Sequence, residues 1–197
     1  MSRTDLIHPR WVRLTHWLNA IAVIVMLLSG WRIYNASPFF PFRFPADVTL
    51  GGWLGGALQW HFAAMWVLFV NGLVYLSLNV FSGRLKKRFW PVRPTEVIHD
   101  LRAALGGQLT HADLRRYNAV QKLFYLGVMG LLIVLVLSGL VLWKPVQFPG
   151  LRGLMGDYEV ARRVHFFAMA GLVAFIAVHV FMVALVPRTL LTMVRGR

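Results

Sequence analysis

The sequence has no cysteine among its 197 residues, and only seven acidic residues stand against 21 lysines and arginines. Without cysteine there are no disulfides, no iron-sulfur clusters held by thiolates and no thiolate zinc sites. Histidine is left as the strong soft ligand, with methionine as a weaker one. Polar surface is scarce too: 58% of the residues are hydrophobic and 14% charged, a composition that places the chain with membrane proteins.

Four apolar segments, roughly 12–33, 54–81, 120–143 and 161–186, each hold about 20 or more mostly apolar residues, the length that crosses a hydrocarbon core about 30 Å thick. They predict an all-α integral membrane protein, a four-transmembrane-helix bundle forming a single membrane domain over 1–197. The first segment follows a basic start, as a signal peptide would. It is too long for an h-region, has no small-residue cleavage site close behind it and contains His16, so it reads as a retained span. No Asp or Glu lies in the spans, which gives carboxylate proton relays and transition-metal transport little support.

The formal charge of +14 follows the topology. Three basic residues lie at the N-terminal end, nine from Arg84 to Lys122, and three from Arg188 onward, against six in the two alternate segments. That bias puts both termini of a multi-pass protein in the cytoplasm. It also accounts for the charge without nucleic acid.

The outer loop over 34–53 is rich in Pro, Phe and Gly and nearly uncharged, a surface suited to lipid headgroups or a partner. The inner loop carries Val97, Ile98, Leu101, Ala104 and Leu105 on one helical face, which predicts a short amphipathic helix on the cytoplasmic surface ended by Gly106 and Gly107. Thr110 with Asp113 resembles a capping box that would start the helix leading into the third span. Leu-Ser-Gly recurs at 28–30 and 137–139, near the outer ends of the two outward-running spans. Glycine there lets a flat group or another backbone come close, and plain helix packing explains it equally well.

Four of the seven histidines fall in spans. His165 and His179 are fourteen residues apart, about 21 Å along a helix and within about 40° of the same face. By depth, His61 matches His165 on the outer side and His16 matches His179 on the inner side. Two pairs from different helices, stacked across a membrane, suit two haems with an imidazole on each face of the iron. Zinc would want further ligands at each pair. His8, His99 and His111 lie in the inner segments and read as solvated surface.

These residues resemble the di-haem cytochrome b membrane subunits of bacterial respiratory complexes, the superfamily of bacterial cytochrome b561, nickel-hydrogenase cytochrome b and the formate dehydrogenase gamma subunit. The resemblance covers the whole chain: RLTHW in the first span, a histidine early in the second and the pair fourteen apart in the fourth. Its most specific local match is RYNAVQKLFY, Arg116 to Tyr125, similar to the segment entering the third span of formate dehydrogenase gamma subunits. The resemblance implies a quinone site bordered by Asn118 and His179, with Gln121 and Lys122 also matching the pattern. Val120 departs from it, standing where the family has glycine for a close backbone approach. Gln121 and Lys122 equally suit helix capping and headgroup anchoring, and Arg13 and Arg162 suit either haem propionates or interfacial snorkelling.

The expected function is transfer of electrons between the membrane quinone pool and a periplasmic redox subunit, a molybdenum enzyme or a cytochrome, through two haem b groups. The chain would be the electron-transfer subunit of a membrane-bound oxidoreductase. A stand-alone superoxide:ubiquinone oxidoreductase of the cytochrome b561 type is the second reading, with Arg162 and Arg163 drawing in the anion. The third is a non-redox scaffold or metal transporter, in which Ser29, Asn71, Asn79 and Ser138 serve as glue between helices.

Overall fold

Within hydrocarbon every backbone N–H and C=O has to be satisfied inside the segment, so apolar runs of this length fold as helices. The structure, a computed structural model, describes residues 7–83, 92–106 and 118–196, and among these the regular structure is helical throughout. Four helices are long and apolar enough to cross a membrane: α1 (Arg10–Ala36), α2 (Leu54–Phe81), α4 (Ala119–Trp143) and α6 (Tyr158–Leu185). Three shorter ones accompany them, α3 (Pro94–Leu105), α5 (Pro149–Leu154) and α7 (Arg188–Arg195). Where the helices outrun the apolar segments, local chemistry sets the ends. α6 starts three residues early because the Asp157 side chain accepts the Val160 N–H at 2.7 Å and Glu159 sits in the first turn, where the helix dipole favours negative charge.

The chain divides into two compact units, 1–85 with 191–197, and 86–190. In the first, α1 and α2 pack antiparallel. Asn71 on α2 donates to the Thr15 carbonyl and to Asn19 on α1, and one end of the pair is closed by Trp11 against Tyr75, ring centroids 6.3 Å apart. Ala22, Ala57 and Ala64 are buried, small side chains that let the two backbones approach. The segment after α1 folds back on the helix: Asn35 makes two 2.8 Å hydrogen bonds with the Phe44 backbone, one as donor and one as acceptor, and Trp31 stacks on the Phe44 ring at 4.8 Å. The apolar loop is thus held as a fixed surface, on which Phe42 and Trp53 stay exposed.

In the second unit α4 and α6 pack antiparallel through Ser138 with His165, Leu131 with Gly171 and Phe124 with Phe175. A Cβ on Gly171 would come within 3.2 Å of the Leu131 side chain, so glycine is what permits this approach. The amphipathic helix α3 docks at the start of α4, where Asp100 accepts the Ala119 N–H at 2.8 Å. Its Ile98 and Leu101 remain exposed. Gly106 N–H closes α3 on the Arg102 carbonyl. Gly107, the Thr110–Asp113 capping box, His111 and Arg116 lie outside the described residues.

Candidate functional site

The repeated Ser-Gly sequence is where two of the span histidines are received. His61, on α2, brings Nδ1 to 3.1 Å from Ser29 Oγ and 3.2 Å from the Met26 carbonyl oxygen on α1. His165, on α6, brings Nδ1 to 2.9 Å from Ser138 Oγ on α4. Both serines are fully buried, and each donates its single hydroxyl proton to the carbonyl one turn back, Val25 and Val134 respectively, at 2.6 Å. A serine so engaged turns a lone pair to the imidazole, and at His61 the Met26 carbonyl can only accept as well. These contacts assign the ring proton to Nδ1 in both histidines and leave the lone pair of Nε2 for a metal.

Beside each serine a glycine leaves the flank of the ring open. A Cβ on Gly30 would stand 3.5 Å from His61 Cε1, and one on Gly139 would stand 3.4 Å from His165 Cε1. Sequence reading singled out the glycines and assigned Ser29 and Ser138 to helix glue. The signal for their second role is the recurrence of the Ser-Gly dipeptide itself, one copy facing each histidine.

The other two histidines stand at the opposite ends of their helices. His16 meets Trp17 edge-on, centroids 5.4 Å apart. His179 stacks on Phe175 at 5.8 Å and 8°, and Phe175 in turn lies against Phe124 of α4. Continuing that antiparallel register by one turn brings His179 level with the first turn of α4, which holds Asn118 and Gln121. These two form a capping box: Gln121 N–H donates to Asn118 Oδ1 at 2.7 Å, and Asn118 N–H donates to Gln121 Oε1 at 3.1 Å. Their side chains thus serve the helix end, and with Thr95, His99, Asp100 and Lys122 Asn118 also lines an open cleft of about 360 Å³.

His16 and His61 belong to the first unit, and His165 and His179 to the second. Among the described residues no three His, Asp or Glu side chains gather as a metal-ion cluster. Arg13 Nη1 donates to the Val194 carbonyl at 2.7 Å, and Arg162 faces Glu159 at 3.4 Å. Both arginines have protein partners that sequence reading did not anticipate.

A haem asks for imidazole Nε2 lone pairs, room beside the rings and donors for its propionates. The first two are met at His61 and His165. For the third, two buried N–H groups lack an acceptor among the described residues: Arg13 Nε, three residues before His16, and Trp31 Nε1, directly after Gly30. Buried donors without partners are costly, and a carboxylate would satisfy them. The residues present fit the group.

Comparison with known proteins agrees. The sequence profile of the prokaryotic cytochrome b561 family matches residues 7–196. The chain is 64% identical over 190 residues, 96% of each chain, to a protein of Azospira oryzae named putative protein-methionine-sulfoxide reductase subunit YedZ1. It is 31% identical over 192 residues to the cytochrome b556(fdo) subunit of an Escherichia coli K12 formate dehydrogenase, covering 93% of this chain and 81% of the relative. With the nitrate-inducible b556(Fdn) subunit of the same strain it shares 26% over 191 residues, 94% and 80% of the two chains. The chain belongs to the prokaryotic cytochrome b561 family, and is a multi-pass bacterial membrane protein that binds haem b and carries electrons as a subunit of the b-type cytochromes.

Proposed function

We propose that this cytochrome carries electrons from quinol in the inner membrane, through two haem b groups stacked across it, to a periplasmic enzyme that reduces methionine sulfoxide in proteins. In this reading the chain is one membrane domain with both termini in the cytoplasm. His16 and His179 hold the inner haem, and His61 and His165 the outer one. Asn118 and Gln121 border the quinone beside His179, and Arg13 and Arg162 stand near the propionates.

The observation that carries the haem reading is the doubled serine–histidine contact. Two imidazoles on different helices are each fixed with Nδ1 protonated and Nε2 left for iron. The name of the Azospira relative supports the choice of partner, and the formate dehydrogenase relatives support the wider role of serving a separate redox enzyme. The chemistry balances. Quinol oxidation releases two electrons and two protons, and conversion of a sulfoxide to a thioether and water takes up two of each. Haem, when bound, supplies the one-electron carrier, and the protein sets ligands, distance and dielectric.

Superoxide oxidation at the outer side relies on Arg162 and Arg163 as attracting charges, and Glu159 beside Arg162 offsets part of that field. Metal transport calls for a ligand cluster, and no such cluster forms among the described residues.

The test has two stages. The purified chain is expected to show two b haems per polypeptide in its reduced-minus-oxidised spectrum. His61→Ala or His165→Ala should each remove one, and His16→Ala or His179→Ala the other. A colourless wild-type protein would overturn the cytochrome reading. In membranes that contain the partner, haem reduced by quinol should reoxidise when methionine sulfoxide is added. A haem signal that stays reduced rejects this partner and leaves the electron-transfer role standing.

A further inference from the structure

We propose that Ser29 and Ser138 are positioning residues that set the outer haem at a low potential, by holding both of its imidazole ligands in fixed rotation as Nδ1–H donors. The inference rests on the reading above that His61 and His165 ligate one haem.

The device is built twice. In each unit a fully buried serine, anchored to the preceding helical turn by a 2.6 Å hydrogen bond, presents its oxygen to a histidine of the facing helix at 2.9–3.1 Å. The next residue is glycine, and a Cβ there would lie 3.4–3.5 Å from the ring's Cε1. A ring tied at Nδ1, with Cε1 on that same edge turned toward the glycine, is restrained from turning about its Cβ–Cγ bond, because rotation would break the serine contact. For His61 the Met26 carbonyl, at 3.2 Å, adds a second acceptor.

The electronic consequence follows from the same contacts. A hydrogen bond from Nδ1–H to an oxygen draws the proton outward and leaves more electron density on the ring, which makes Nε2 the stronger donor. Stronger donation favours ferric over ferrous iron and lowers the potential. Two such bonds on one iron act in the same direction. A low-potential outer haem is the better reductant toward an acceptor outside the membrane, which suits a cytochrome serving a reductase.

Redox titration of the purified protein tests this, with Ser29 and Ser138 each replaced by Ala and by Cys, the latter keeping the size with a weaker acceptor. Each alanine variant is expected to raise the potential of one and the same haem, leaving the other unmoved. At the wild-type midpoint the shift should reach about tenfold in the ferrous-to-ferric ratio, or about 59 mV for one electron. The cysteine variants should fall between, and Ser→Thr, which restores the hydroxyl, should return toward wild type. The low-spin ferric electron paramagnetic resonance spectrum, which follows the angle between the two imidazole planes, should broaden for that haem alone. Should an alanine variant fail to assemble, the cysteine and threonine variants carry the comparison. Two haems with unmoved potentials across the series overturn the proposal while leaving the cytochrome intact, and serine variants that shift different haems overturn the shared-ligand pairing. A wild type without haem overturns the reading beneath both.

Discussion

The side-chain amide of Asn71 donates at 2.6 Å to the Asn19 side chain and at 2.7 Å to the Thr15 carbonyl, joining α2 to α1 in the half of the pair away from Ser29 and His61. Asn71 is nearly buried, and in an apolar setting a polar link between helices contributes roughly 0.6–2 kcal/mol. Asn71→Leu keeps the volume and removes the donor, leaving the Asn19 oxygen without its α2 partner. Thermal unfolding in detergent should show a lower midpoint with the haem spectrum retained. An unchanged midpoint would remove Asn71 from the contacts that hold the first unit together.

At the start of α4 one residue is asked to cap a helix and to border a quinone, and two substitutions separate the tasks. Asn118→Ala removes the acceptor for Gln121 N–H and should lower stability by about 1 kcal/mol, within the range for lost N-caps. Asn118→Asp keeps a capping oxygen and adds a charge that the helix dipole favours. Stopped-flow reduction of the haems by quinol is expected to slow in both variants, while the unfolding midpoint drops only in the alanine one. Normal quinol reduction in Asn118→Asp would reduce Asn118 to a cap.

The four long helices were legible in the sequence because the demand for about 20 apolar residues is written directly into composition. Their ends were less so. Apolarity says where the bilayer is, whereas Asp157 and Asn118, outside or at the edge of the apolar runs, decide where the helices start. The span histidines stood out because imidazole is rare in hydrocarbon. Their serines did not, since a buried serine in a span is ordinarily explained by its own back-bond to the preceding turn, and only the geometry reveals the second partner on each oxygen. The partners of Arg13 and Arg162 were hidden for the opposite reason. Val194 is some 180 residues away along the chain, and Glu159 falls just before the predicted span.

Trp31 follows Gly30, and its Nε1 is buried with no acceptor among the described residues while its ring lies parallel to Phe44. Trp31→Phe keeps the stack and removes the donor. If that N–H serves a propionate of the outer haem, its loss leaves the carboxylate charge less compensated, which favours ferric iron. The outer haem potential should then fall in Trp31→Phe, opposite in sign to the serine variants, with both haems still bound. A potential that rises or stays put would assign the indole to packing alone.

Gly30 and Gly139 allow a graded test of the space beside the two rings. A methyl group at either would stand 3.4–3.5 Å from an imidazole carbon, which is ordinary contact. Gly30→Ala and Gly139→Ala should therefore retain both haems. Leucine is different, because its branched end has to occupy the volume into which the ring leans, and small-to-large changes in packed interiors displace neighbours at about 1–3 kcal/mol. Gly139→Leu should push His165 off the Ser138 oxygen and cost the protein its outer haem, leaving one b haem per chain by pyridine haemochrome assay and a spectrum matching that of His165→Ala. Two haems surviving in Gly139→Leu would mean that the face of α4 carrying Gly139 does not border the cofactor, and that the glycine serves the approach of α4 and α6 alone.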